Sequence, residues 1–235
     1  VKPIKHILGD NWLLSGLSRK DKKDFLSGCE IVNLEFEEIL AEPGERIRYV
    51  YFPTESFISL VANNEGTPSL EVGLIGNEGM LGISLILGVG VSPLHAVVQG
   101  AGLAYRMDAT QFRLEIKPGS ALLRLLKRYL YVVVGQLAQT SACTRFHVVE
   151  SRLARWLLMT QDRAHSDTFN ITQEFLSYML GVRRVGVTKA ASSLKERDLI
   201  SYSRGKLAIL DRNALEAAAC ECYATDNATY ASLMG

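Results

Sequence analysis

The spacing of apolar positions changes twice along the chain, and each change marks a different kind of element. Over the first 30 residues the pattern is that of short helices, with Ser18 placed to cap one that runs to about Ser27 and ends near Gly28. From Ile31 to about Asp108 the period becomes that of strands. Runs rich in β-branched and aromatic residues (Ile31–Phe36, Arg48–Phe52, Ser56–Ala62, Leu70–Ile75, Leu94–Gln99 and Leu103–Met107) alternate with turn residues. The turns are Glu42-Pro43-Gly44, Asn63-Asn64-Glu65-Gly66, Gly76-Asn77-Glu78-Gly79 and Gly100-Ala101-Gly102. Short strands at this spacing, punctuated by Gly and Asn, predict an antiparallel β-barrel or jelly roll.

After Pro118-Gly119 the period changes again. Leu123, Leu126, Leu130, Val133, Val134 and Leu137 recur at three- and four-residue steps, with Arg124, Lys127 and Arg128 between them. That is a long amphipathic helix, placed at about 118–147. Its apolar surface exceeds what one barrel wall would cover, so self-association is its natural use, with Leu126, Leu130, Val133 and Leu137 as the seam. Burial against its own domain is the alternative. A further helix spans about Val149–Arg163 with Val149, Leu153, Trp156 and Leu157 on one face, and 164–169 reads as a polar loop. The domain boundary falls near His147, giving 1–147 and 148–235.

Residues 170–210 carry the most specific pattern. Thr172 caps a helix whose first turn holds Gln173 and Glu174, with Phe175, Leu176, Met179 and Leu180 on its buried face. Gly181 allows a tight turn. A second helix follows over about Arg183–Arg197, with Val187, Ala190, Ala191 and Leu194 inward. Two short helices joined at a glycine form a helix-turn-helix. Behind them, Leu199–Tyr202, the turn Ser203-Arg204-Gly205-Lys206, and Leu207–Leu210 make a basic-tipped hairpin, or wing. Outward on the second helix lie Val185, Thr188, Lys189, Ser192 and Glu196, with Arg183 and Arg184 at the end that enters a major groove first. Arginine pairs bidentately with guanine edges, and Arg204 and Lys206 are placed for flanking phosphates. The candidate DNA-binding set is therefore Thr172, Arg183, Arg184, Val185, Thr188, Lys189, Ser192, Arg204 and Lys206.

Charge sharpens this picture. The whole chain of 235 residues is nearly neutral, at +1, which argues against a nonspecific polyanion binder. Between Arg183 and Arg212, however, eight basic and three acidic residues give +5, against −4 for the rest. Such a segment is either a nucleic-acid contact surface or a salt-bridged, solvated helix face. The hydrophobic share of 48% excludes general disorder, and no apolar run is long enough to span a membrane. The four cysteines, Cys29, Cys143, Cys220 and Cys222, are scattered, and the N-terminus lacks the order of a secretory signal, so a cytoplasmic protein is expected.

The order of elements, together with Ile171-Thr172-Gln173-Glu174, Gly181 and Leu194-Lys195-Glu196-Arg197-Asp198-Leu199-Ile200, resembles the Crp/Fnr superfamily of bacterial transcription regulators. The resemblance covers nearly the whole chain. It implies an α+β protein with an N-terminal cyclic-nucleotide-binding-like barrel as sensor, a long dimerisation helix and a C-terminal winged helix-turn-helix. It also implies a homodimer on palindromic double-stranded DNA, with RNA polymerase as a further candidate partner.

The sequence departs from that family in three places. Nucleotide-binding members carry Gly-Glu in a turn and, further on, Arg-Ser/Thr-Ala, where the arginine neutralises the cyclic phosphate. The matching positions here are Gly82-Ile83-Ser84 and Leu94-His95-Ala96. A buried phosphate without a cation is costly, so cyclic AMP is not expected to bind, and the effector that Gly82, Ile83, Ser84, Leu94 and His95 would line is unknown. Only Cys29 lies where oxygen-sensing members place an iron–sulfur cluster, Cys220-Glu221-Cys222 cannot close a zinc site alone, and His6, His95, His147 and His165 show no haem spacing. No cofactor or metal site is expected. Finally, the outward positions read Arg184-Val185-x-x-x-Lys189 where the best-known branch has Arg-Glu-x-x-x-Arg, so a different operator is expected. A metal-dependent jelly-roll enzyme would need clustered ligands where the barrel offers only His95. An effector-independent architectural DNA-binding protein is the remaining alternative.

Overall fold

The structure, a computed structural model, describes residues 9–62 and 69–235. The expected turn at Asn63–Gly66 and His6 lie outside the described residues. The chain forms two compact units, one of residues 1–60, 74–134 and 230–235, the other of 61–73 and 135–229.

The first unit opens with α1 (Trp12–Ser15) and α2 (Arg19–Leu26). Ser18 caps α2 as expected, its hydroxyl accepting from the Asp21 N–H at 3.1 Å. The strands β1 (Glu30–Leu34), β2 (Ile39–Ala41), β3 (Tyr49–Pro53), β4 (Phe57–Ala62), β5 (Leu70–Ile75), β6 (His95–Gly100) and β7 (Gly102–Asp108) follow, with residues 61–62 of β4 and 70–73 of β5 counted in the second unit, and with a 3-10 turn at Ile83–Leu87 between β5 and β6. Six of them fall within a residue or two of the strand runs in the sequence. The three-residue β2 is too short to leave a period.

These strands form two separate sheets, β1-β7-β3 and β2-β6-β4-β5, so the expected barrel is an open jelly-roll-like pair rather than a closed cylinder. One core joins the sheets: Leu34, Tyr51 and Ala104 from the first pack with Ile58, Ile75, Ala96 and Val98 from the second. A second core gathers α1, α2 and the helices that follow the strands, α3 (Ala109–Glu115) and α4 (Ala121–Phe146). Phe25, Phe52 and Phe112 meet at its centre, with Phe25 edge-on to both others and ring centroids 5.3–6.5 Å apart.

The long helix α4 has 26 residues and begins where the Ser120 hydroxyl accepts from the Leu123 N–H at 3.1 Å. Its apolar side does two different jobs. Leu122, Leu125, Leu126, Tyr129 and Val132 are buried in its own unit, whereas Tyr131 (67% exposed) and Val134 (56%) face solvent. Leu126 is fully buried, so it cannot supply the seam expected of it from the three- and four-residue spacing. Leu130, Val133 and Leu137 are half-buried, and Val133 packs on the core of the unit.

The second unit contains α5 (Val149–Ala164), β8 (Thr168–Asn170), α6 (Gln173–Leu180), α7 (Arg184–Glu196), β9 (Ile200–Ser203), β10 (Lys206–Ile209), α8 (Arg212–Ala218) and, through Thr229, α9 (Cys222–Met234). The segment 164–169, expected as loop throughout, instead turns at His165 and enters β8, which pairs with β10 to make the three-stranded sheet β8-β10-β9. Trp156 of α5 lies edge-on to Phe175 of α6, with centroids 6.3 Å apart. Val187, Ala190, Ala191 and Leu194 of α7 are buried as expected, and small side chains there let α7 pack closely on α5 and α6.

Candidate nucleic-acid interface

Each helix of the helix-turn-helix is held by its own local chemistry. The Thr172 hydroxyl accepts from the Phe175 N–H at 3.1 Å and starts α6. Gly181 ends it at φ +61°, a left-handed conformation that a β-carbon would strain. The Thr188 hydroxyl donates to Gln173 Oε1 at 2.8 Å, pinning α7 against the first turn of α6. The wing turn is equally specific. Arg204 (φ +51°) and Gly205 (φ +78°) both take positive φ, the two-residue geometry that matches hairpin twist. The Tyr202 hydroxyl donates to the Ile171 carbonyl at 2.9 Å and fastens the wing to the start of α6. Burial raises the Tyr202 pKa while the nearby positive charge of Arg184 opposes the rise, which places the first residue of α7 beside the wing.

All nine candidate residues are exposed: Thr172, Arg183, Arg184, Val185, Thr188, Lys189, Ser192, Arg204 and Lys206. The basic residues between Arg183 and Arg212 divide into partnered and free side chains. Lys195 donates to the Tyr202 carbonyl, Arg197 pairs with Glu150 at 2.8 Å, and Arg212 pairs with Asp162 at 2.8 Å and Glu216 at 3.0 Å. Those three side chains have partners within the unit, the Lys195 contact being the longest at 3.5 Å. Among the described residues, the side chains of Arg183, Arg184, Lys189, Arg204 and Lys206 form neither hydrogen bonds nor ion pairs. Free, exposed cations at a helix N-terminus and on an adjoining wing can each take an anionic partner.

The residues of the expected effector pocket are placed otherwise. Gly82 takes φ +95° as it starts the 3-10 turn, and a β-carbon there would lie 2.9 Å from Val50. Ile83 packs on the core around Val50 and Phe52 rather than presenting a polar group. Ser84 and Leu94 are half-buried, and His95 Nδ1 lies 2.8 Å from Glu42 Oε2, so that ring already has a partner.

A second constellation was missed in the sequence. Cys143 Sγ lies 3.5 Å from Cys220 Sγ, and Cys222 Sγ lies 3.4 Å from His147 Nδ1. One ligand atom from each of these four residues falls within 4.8 Å of all the others. The Cys220 hydrogen bond holds Cys143 well below the ordinary thiol range despite burial, and that same bond, with burial, pushes Cys220 up.

Residues 151–218 match the family model of the Crp-like helix-turn-helix domain. No curated protein matches the sequence. Among solved structures, the chain is similar to a putative transcriptional regulator of the Crp/Fnr family from Eubacterium rectale, with a TM-score of 0.69, 15% identity, and coverage of 88% of this chain and 98% of that one. It is similar to FixK2 from Bradyrhizobium japonicum (TM-score 0.69, 12% identity, 82% and 98% covered). It is also similar to a CRP/FNR-family transcriptional regulator from Thermus thermophilus (TM-score 0.66, 20% identity, 81% and 98% covered).

Proposed function

We propose that the chain, which carries a Crp-like helix-turn-helix domain over residues 151–218, is a transcription regulator of the Crp/Fnr type that acts as a homodimer and reads a palindromic DNA operator through α7. The observation that carries this reading is the division of the basic residues between Arg183 and Arg212. Three have partners within the unit, and the five left free all lie on α7 or its N-cap and on the wing. A helix face kept for salt bridges would have them paired.

In this reading α7 lies in the major groove, with Arg184 on a guanine edge and Val185, 66% exposed, against a thymine methyl. Lys189 and Ser192 reach neighbouring bases or phosphates. Arg183, Arg204 and Lys206 hold phosphates on either side, and the Thr172 hydroxyl, whose oxygen already caps α6, can still donate to one. Thr188 acts by fixing α7 to α6. Residues 1–147 form a sensor and dimerisation region and 148–235 the DNA-binding domain. The exposed apolar face of α4, centred on Tyr131 and Val134 and flanked by Leu130 and Leu137, forms the seam.

The sensor does not take cyclic AMP in this reading, because Ile83 is spent on the core and no arginine stands at Leu94-His95. Footprinting of the full chain on genomic DNA fragments tests the proposal. Discrete protected sites with two half-sites about one helical turn apart are expected. Uniform coating of all fragments would favour the architectural alternative.

A further inference from the structure

We propose that Cys143, His147, Cys220 and Cys222 form a closed four-ligand site for one zinc ion, tying the end of α4 to the start of α9. The four residues come from two places far apart in sequence. Cys143 is in the last turn of α4, and the His147 N–H donates to the Cys143 carbonyl at 3.1 Å, continuing the helical hydrogen-bond pattern so that both side chains share one face. Cys220 and Cys222 flank Glu221 where α9 begins. All four cysteines of the chain are free, and only Cys29 stands outside the cluster.

The geometry fits one ion. Zinc bonds of about 2.3 Å to sulfur and 2.0–2.1 Å to nitrogen give tetrahedron edges of about 3.8 Å between sulfurs and about 3.6 Å between sulfur and nitrogen. The observed Cys143–Cys220 and Cys222–His147 separations are 3.5 and 3.4 Å, and no pair exceeds 4.8 Å. Donors this close cannot surround the several irons of a cluster. Three thiolates and one imidazole are also the donor set of a structural zinc site, with no position left open for water.

The surroundings complete the site. Gln139 Nε2 donates to Cys222 Sγ at 3.0 Å, the kind of amide contact that steadies a metal thiolate. His147 faces Cys222 through Nδ1, and its far nitrogen, Nε2, points toward the Glu221 carboxylate at 3.9 Å, too long for a hydrogen bond in this structure. Zinc with three thiolates and a neutral histidine carries one net negative charge. The buried guanidinium of Arg152, which donates to the Leu180 carbonyl and interacts electrostatically with Cys143 and Cys220, balances it.

The test uses the full chain, untagged and purified without oxygen or chelator. Elemental analysis should find one zinc per chain. Metal-free protein given Co²⁺ should develop the visible bands of a tetrahedral ion and thiolate charge transfer. Alkylation followed by mass spectrometry should show Cys143, Cys220 and Cys222 protected by Zn²⁺ and labelled after chelation, with the labelling of Cys29 unchanged. Gln139→Ala, which keeps all four ligands, should weaken Zn²⁺ binding about 10- to 100-fold. A chain that retains no metal, and whose thiols alkylate alike with and without Zn²⁺, overturns the proposal. So does stoichiometric iron with visible absorption, or a Cys143–Cys220 disulfide in the anaerobic protein. None of these readouts depends on DNA binding.

Discussion

Arg184 and Lys206 are both exposed, both free of intramolecular partners and both basic, yet the proposed docking gives them opposite duties. Because neither side chain supports the fold, Arg184→Ala and Lys206→Ala should leave unfolding free energies within about 0.5 kcal/mol of the parent. Their effects on binding are therefore read cleanly. A bidentate arginine–guanine contact contributes about 1–3 kcal/mol of discrimination, and a dimer loses it twice. Arg184→Ala should thus cost about 2–6 kcal/mol on the operator, roughly 30-fold or more in affinity. The preference should flatten at one base pair in each half-site. A phosphate contact contributes about 0.9 to the slope of log affinity against log salt, so Lys206→Ala should lower the slope by roughly 1.8 per dimer and weaken all sequences alike. The assay is fluorescence anisotropy on the operator and its single-base variants, across about 50–200 mM salt. If Arg184→Ala weakens every sequence equally and keeps each positional preference, Arg184 is a phosphate clamp and α7 does not enter the groove by its N-terminus.

Val134→Glu with Tyr131→Glu should give monomers that lose operator affinity, because both side chains are exposed on α4; sedimentation still showing a dimer would move the seam elsewhere. Leu126→Ala, at a fully buried position, should instead cost about 2–5 kcal/mol of stability in urea unfolding and leave the oligomeric state unchanged. Asp226→Ala strips the partner, 2.7 Å away, from a buried Arg155 and should cost about 3–5 kcal/mol; a loss below about 1 kcal/mol would mean that water reaches the guanidinium. Calorimetry with cyclic AMP should show no binding at micromolar affinity, and a saturable heat there would contradict the reading of half-buried Ile83 as a residue that packs against the core instead of lining a nucleotide site.

What could be read from the sequence follows the range of the interactions involved. The caps at Ser18 and Thr172, the turn at Gly181 and the wing at Arg204-Gly205 are set by residues a few positions apart, and each stands where its local chemistry puts it. The strands β1 and β3–β7 are legible because they fall in runs rich in β-branched and aromatic residues bounded by turn residues. Strand β8 left no such trace. Its three residues gain strand conformation only by pairing with β10, some 40 positions away. The apolar spacing on α4 shows the converse limit. A period of three and four residues says that a face is apolar, but whether that face meets its own core or a partner depends on neighbours the helix does not encode. Leu126 and Val134 carry the same sequence signal and sit on opposite sides of that question.

The cysteine cluster lay beyond any local reading, for a related reason. Cys220-Glu221-Cys222 by itself offers two thiolates, half of a closed site, and the other half is a Cys143–His147 pair 77 positions earlier. Spacing rules for metal sites work where the ligands come from one or two tight turns. Here one half rides on the end of a long helix, where cysteine and histidine four residues apart look like ordinary polar positions on an amphipathic pattern. The other half follows α8, which left no strong signature of its own. Only the packing of the second unit brings the halves together, and it does so with Gln139 and Arg152 already disposed around them. A chance encounter of three thiols and an imidazole would need neither an amide donor on one sulfur nor a buried cation matched to the one net negative charge of the zinc-loaded site. That the fold supplies both is the reason to look for an ion in the full chain before assigning the cluster to packing alone.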